Sequence, residues 1–256
     1  MTAAEIAAYI GALAWIPQLL QWLYGWLSRP KLKLLSGETM GAGYNHFGPV
    51  LTLTTAISCD RRDALIRKVT LKITHEKGDK RHLTWVWLSE TQMQISIPTG
   101  ETLDFAKNQP ALALKVGPQL LAEKKITFSD REFQAKYAGM TDILLHHYDY
   151  LKRTTSDPED SLIRSREFMD AQDFFSKSFY WKEGRYDFEV ELEMVGRYNR
   201  HKEKFVVVFT KSDVDMLQAN TTLYEQQVRV MLKLHGGEQS AFPQWKWVNP
   251  TVNPFS

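Results

Sequence analysis

VLTLTTAISCDRRDALIRKVTLKITHEKGDKRHLTWVWL, from Val50 to Leu88, is the stretch whose reading decides the fold. It opens with a run rich in β-branched residues, in which Leu51, Leu53, Ile57 and Cys59 share one face. Side chains alternate across a strand, so such a run suits a half-buried strand better than a helix. Asp60-Arg61-Arg62-Asp63 is a charged break. Leu65 to His75 then alternates cleanly, with Val69, Leu71 and Ile73 on one face and Lys68, Thr70, Lys72 and Thr74 on the other. Gly78-Asp79 supplies a turn, and strict alternation through Arg81–Leu88 puts Leu83, Trp85 and Trp87 together inside. Strands at this spacing, joined by short polar turns, predict an antiparallel sheet.

Outward from this stretch the pattern is mixed. Tyr186 to Val195 alternates again, with Asp187, Glu189, Glu191 and Glu193 facing out, and Phe205–Thr210 supplies a further strand. The aromatic-led run Gly184-x-Tyr186-x-Phe188-x-Val190 resembles the late strands of immunoglobulin-like sandwiches. Between the two strand-rich parts the signal turns helical. A helix is expected over Glu132–Lys152, and Asp157-Pro158-Glu159-Asp160 opens a second that should run to about Lys177. Ser212-Asp213 opens a short helix. Alternating Val228, Val230, Leu232 and Leu234 favour a strand within 222–235, although Glu225-Gln226-Gln227 would suit a helix. The tail from Phe242 reads as irregular, yet too aromatic to stand fully exposed. The expected fold is therefore mainly β with α: an antiparallel immunoglobulin-like β-sandwich over 31–256, with a helical insertion at about 130–180.

With 256 residues, 24% charged and 43% hydrophobic, the chain is long enough for a proper core and too charged for a polytopic membrane protein. A net charge of +2 gives no nucleic-acid footprint. The single Cys59 excludes an intramolecular disulfide framework and fits a reducing compartment.

The first thirty residues suggest an anchor. From Ala3 to Leu27 the strongly polar side chains are Glu5, Gln18 and Gln21. A helix over that span would be roughly 37 Å long, enough to cross a hydrocarbon core of about 30 Å. Trp15, Trp22 and Trp26 would sit as amphipathic aromatics, and Arg29, Lys31 and Lys33 follow as a basic cluster. The positive-inside rule then places the N-terminus outside and the domain in the cytoplasm. On a 3.5-residue period Gly11, Ala14, Gln18, Gln21, Gly25 and Ser28 fall on one seam, the small and amide residues through which membrane helices associate. Lipid, and a copy of itself or a partner's helix, are the expected partners.

No strong catalytic signature is present: no phosphate loop, no G-x-S-x-G, no H-E-x-x-H and no paired cysteine ligands. The adjacent His146 and His147 would point about 100° apart on a helix and make a poor chelate. The acidic row Asp187, Glu189, Glu191 and Glu193 is expected to face a compensating basic strand or partner. No cofactor or metal is expected. The leading expectation is a membrane-anchored interaction or sensory module that recruits or regulates a partner. An oligomeric pore-forming effector and a membrane-tethered hydrolase using the histidines or the acidic row are the alternatives.

Overall fold

A computed structural model describes residues 14–24, 31–60, 62–96, 102–118, 121–196 and 200–254. Eleven strands form one sheet: β1 (Lys31–Asn45), β2 (Gly48–Asp60), β3 (Ala64–His75), β4 (Lys80–Ser96), β5 (Thr102–Pro110), β6 (Leu114–Val116), β7 (Leu121–Ser129), β8 (Gly184–Met194), β9 (Arg200–Phe209), β10 (Trp247–Val248) and β11 (Val252–Pro254). The helices are α1 (14–24), α2 (Arg131–Thr154), α3 (Pro158–Ile163), α4 (Arg166–Lys177), α5 (Lys211–Gln218) and α6 (Tyr224–His235). A short 3₁₀ turn, Ala219–Leu223, joins the last two.

The strand order is β10-β1-β2-β7-β4-β3-β8-β9-β11, with β5 added to β4 and β6 to β3. All named pairings are antiparallel. This corrects the sandwich expectation: instead of two separate sheets there is one, curled into a half-barrel. The cause lies in β4, which pairs with β3 over Lys80–Thr84, with β7 over Thr84–Ser89 and with β5 from Trp87 to Ser96, so the ladder turns without breaking. Register shifts at Ser36/Met40, Ile66/Lys68 and Trp85/Trp87 add local twist, as β-bulges do. The curl brings the inner faces together. Leu51, Leu53 and Ile57 of β2, Leu71 and Ile73 of β3, and Phe188 and Val190 of β8 share one apolar core. Residues 247–254 reach both edges, β10 on β1 and β11 on β9, with Thr251 bridging to Thr39.

The helices build a second core around Phe133, Tyr148, Leu162, Phe168, Phe175, Tyr224 and Val228. Tyr44 at the end of β1 joins it to the sheet: its ring packs 4.9 Å from Phe175 and its hydroxyl donates to the Phe175 carbonyl. Asp130 caps α2, accepting from Glu132 N–H at 2.9 Å and Phe133 N–H at 3.1 Å. The single helix expected from Asp157 to Lys177 is two, because Ser165 turns out of the first and caps the second through Phe168 N–H. The strand favoured within 222–235 is helix α6. Tyr224, Val228 and Leu232, spaced by four, face the helical core, and Arg229 bonds Glu225 one turn back and Glu159 and Asp160 of α3.

The membrane span is also corrected. Among the described residues no helix is long and apolar enough to cross a membrane. At about 1.5 Å per residue α1 covers roughly 16 Å, about half a hydrocarbon core. The orientation deduced from the basic cluster falls with the span. Trp15, Ala14, Gln18, Gln21 and Trp22 lie exposed on α1; Gly11, Gly25, Trp26, Ser28 and Arg29 lie outside the described residues. Lys31 and Lys33 are exposed positions at the start of β1, with Lys33 3.6 Å from Asp60.

Candidate functional site

A groove of about 850 Å³ runs over the outer face of β1, β2, β7 and β4. The register builds it residue by residue. Gly41 pairs with Thr52, Thr52 with Thr127, and Thr127 with Trp87, so one row of side chains crosses the strands on the side away from the core. A second row runs from Trp247 through Gly43 and Val50 to Ser129. A third joins Thr54, Lys125, Ser89 and Asn108. The floor is thus mostly hydroxyls and amides, with Gly41, Val50 and Lys125 among them and an indole at each side.

Two positions required more than strand alternation. Trp87 is 45% exposed while Trp85 is 2% exposed, although alternation from Trp85 would put both inside. Val86 is the extra residue of a bulge: Trp85 pairs with Phe128 and Trp87 with the very next residue, Thr127, which turns Trp87 outward. At the other wall, a Cβ on Gly43 would stand 2.8–3.0 Å from three atoms of the Trp247 ring. The missing side chain lets the indole lie against the β1 backbone while it stays 40% exposed.

Ser129 is 1% exposed, lines the groove, and its Oγ has no hydrogen-bond partner. Lys125 is the one formally charged residue lining this groove among the described residues.

A smaller depression of about 440 Å³ adjoins the groove, sharing Phe47, Val86, Trp87 and Gln134 with it. His46 and Phe47 come from the β1–β2 turn, where Phe47 N–H donates to Asn45 Oδ1 at 2.9 Å. The turn closes on Gly48 at φ +78°, and a Cβ there would stand 2.4 Å from the Phe133 ring. Burial pushes the His46 pKa below its ordinary value, and its Nδ1 is buried without a partner. Burial raises Tyr137, on the same lining, to about 12. No Asp or Glu lines either depression among the described residues.

The residues singled out from sequence lie elsewhere. His146 Nδ1 sits 2.8 Å from the Asp142 carbonyl of its own helix, while His147 turns to Glu167 of α4 at 3.1 Å. Asp149 meets His235 at 3.1 Å. Among the described residues no group of three His, Cys, Asp or Glu side chains is placed to hold a metal ion. The acidic row of β8 finds the compensation its pattern demanded within the sheet: Lys202 reaches Glu189 at 2.7 Å, Arg200 reaches Glu191 at 3.1 Å, and Arg67 pairs with Glu193. Hydrogen bonding to Lys202 and to Arg67 holds Glu189 and Glu193 below the usual carboxylate range.

A third concavity, of about 240 Å³, lies beside His75, Asp79 and Tyr180. Apart from the Tyr180 hydroxyl, which is buried without a partner, its polar groups serve the local fold: His75 Nε2 meets the Glu183 carbonyl at 3.1 Å, His75 Nδ1 accepts from Lys77 N–H at 3.3 Å, and Asp79 pairs with Lys182. Tyr186 Oη accepts from Lys182 N–H at 2.7 Å.

No protein-family model and no curated protein sequence matches this chain. Among solved structures it is similar to a family 123 glycoside hydrolase from Clostridium perfringens, at 9% identity and a TM-score of 0.32. The match covers 70% of this chain and 27% of that one. A likeness at that level bears on neither ancestry nor activity.

Proposed function

We propose that this chain is a recognition module that acts by holding a ligand in the groove between Trp87 and Trp247. The observation that carries the reading is a recessed floor rich in hydroxyls and amides flanked by two exposed indoles, Trp87 and Trp247. Exposed tryptophans disfavour an empty site and are covered by a bound partner. The groove's volume falls within the range of small-ligand sites, about 300–1,000 Å³. The role keeps the partner recognition expected from the absence of catalytic motifs and drops the membrane tether. The hydrolase alternative rests on His146, His147 or the acidic row of β8, and none of these lines either depression.

Fluorine NMR of 5-fluorotryptophan-labelled protein tests the reading, with the two resonances assigned from Trp87→Phe and Trp247→Phe. Titration with a broad metabolite, peptide and glycan library should give ligands that shift both signals together. If every ligand found shifts other tryptophans and leaves these two unmoved, the groove is not the recognition site.

A further inference from the structure

Resting on that reading, we infer that the ligand is a neutral oligosaccharide laid across the strands from Trp247 to Trp87. Charge comes first. The groove carries Lys125 and no acid among its described lining residues, so an anionic ligand would lose hydration for one cation and a cationic ligand would find no counter-charge. A nucleic acid strand would stack its bases on the indoles, but it needs a line of phosphate-binding cations that this floor lacks. The ligand is therefore uncharged.

The floor's chemistry narrows it further. Hydroxyls and amides such as Thr52, Thr127, Ser129 and Asn249 both donate and accept, which suits a ligand whose own groups do both. Sugar hydroxyls are of that kind. A peptide is the main uncharged rival, and peptides that join sheets do so by pairing with a free strand edge. Here the floor is the face of strands whose backbones already pair with one another, from β10 to β4. It offers side chains and no ladder.

The walls fit the remaining surface of a sugar. A pyranose ring presents a face of C–H groups beside its hydroxyl rim, and the electron-rich face of an indole attracts such hydrogens. Trp247 is held flat by its seat on Gly43, so its exposed face is preorganised. Trp87 is fixed by the bulge at Val86. Four strand spacings separate β10 from β4, about 19 Å at about 4.8 Å each before the curl shortens it, which is room for several rings in an extended chain.

The test is titration calorimetry together with the fluorotryptophan spectra, using neutral gluco-, manno-, galacto- and N-acetylhexosamine oligomers of one to six units. An oligouronate and a set of uncharged peptides are run beside them. The expected result is that one neutral series shifts Trp87 and Trp247, with affinity rising with length and then levelling. Trp87→Ala and Trp247→Ala should each weaken binding at least tenfold with an unchanged circular dichroism spectrum, and Trp87→Phe should restore most of it. Affinity should be nearly independent of salt. If the oligouronate or a peptide shifts the two signals and no neutral sugar does, the groove stands and the ligand class falls. If a neutral sugar binds but shifts neither signal, both the class at this site and the site itself are overturned. No binding by any neutral oligomer at about 10 mM, a concentration that detects even about −4 kcal/mol of affinity, also overturns the proposal.

Discussion

On the outer face of β3, β8 and β9, Lys72 stands opposite Glu189, which in turn faces Lys204, and Glu191 faces Lys202. On the outer face of β1, β2, β7 and β4, the corresponding rows read Gly41, Thr52, Thr127 and Trp87. Both faces belong to one sheet and cover one core. The first is a solvated ladder of alternating charge, in which each like-charged row is answered by its neighbour. The second is nearly neutral, recessed and walled by indoles. Solubility and register are served by the charged half, where a partner would have to strip well-hydrated ion pairs. The neutral half costs less to dehydrate, and that is where we place the proposed ligand.

The sharpest way to break this contrast is to loosen the neutral half alone. Asn220 is fully buried and bonds Tyr44 O at 2.9 Å, Lys246 O at 2.8 Å and Lys246 N at 2.9 Å, holding the tail that carries Trp247. Asn220→Ala should lower stability by roughly 2–4 kcal/mol, since several buried backbone groups lose their partner together. Urea denaturation would measure it, and a loss below 1 kcal/mol would show that the tail is held by other means. Next comes Gly43→Leu, which fills the seat of the indole. It should cost about 1–3 kcal/mol by overpacking and move the Trp247 fluorine signal. An unmoved signal would remove the argument for a fixed wall.

On the charged half, Glu189→Gln should cost roughly 0.2–1 kcal/mol, less in high salt, and leave groove ligands bound as before. Acid separates the halves without mutation. The His46 pKa is lowered by burial, so the unfolded chain takes up its proton first and stability falls as pH drops below about 6.5. The depressed carboxyls of Glu189 and Glu193 stabilise above the ordinary carboxylate range, about pH 4.3, and that contribution is lost only as pH falls through their lower folded values. Stability against pH should therefore decline in two windows. His46→Phe should erase the upper one, and paired Glu189→Gln and Glu193→Gln should flatten the lower. A profile unchanged by His46→Phe would contradict the first assignment. Smallest of all, removing residues 1–30 should change stability by less than about 0.5 kcal/mol, because α1 exposes its residues all round and the sheet begins at Lys31. A larger change in the denaturation midpoint would show that this segment supports one of the two faces.

Much of the charged half was legible in the sequence. Val69–His75 and Tyr186–Met194 alternate without interruption, so period two alone assigns their faces, and the acidic row announces the cations it meets. The neutral half was harder because its key residues break the rule being read. Trp87 sits one step after a bulge, and nothing local in Trp85-Val86-Trp87 marks Val86 as the extra residue. Trp247 depends on Gly43, about two hundred positions away, a contact no periodicity reveals. The anchor expectation is overturned for a related reason: it rests on an apolar run over Ala3–Leu27, while the described helix spans 14–24. Within 222–235, β-branched alternation outweighed the Glu225–Arg229 spacing, and it was the acids of α3 that completed the helical answer.

Residues 247–254 fasten to β1 at one edge and to β9 at the other, which gives the molecule an order of manufacture. On a ribosome working at about 5–20 residues per second, the strand bearing Gly43 emerges on the order of 10–40 s before Trp247 exists to rest on it. During that interval β1 is an unpaired edge, the kind of surface on which chains aggregate. The groove has a floor by then but only one of its walls. The proposed recognition would thus be among the last properties the nascent chain acquires, and a chain halted before Trp247 would have most of a sheet, an open edge and one wall of the groove.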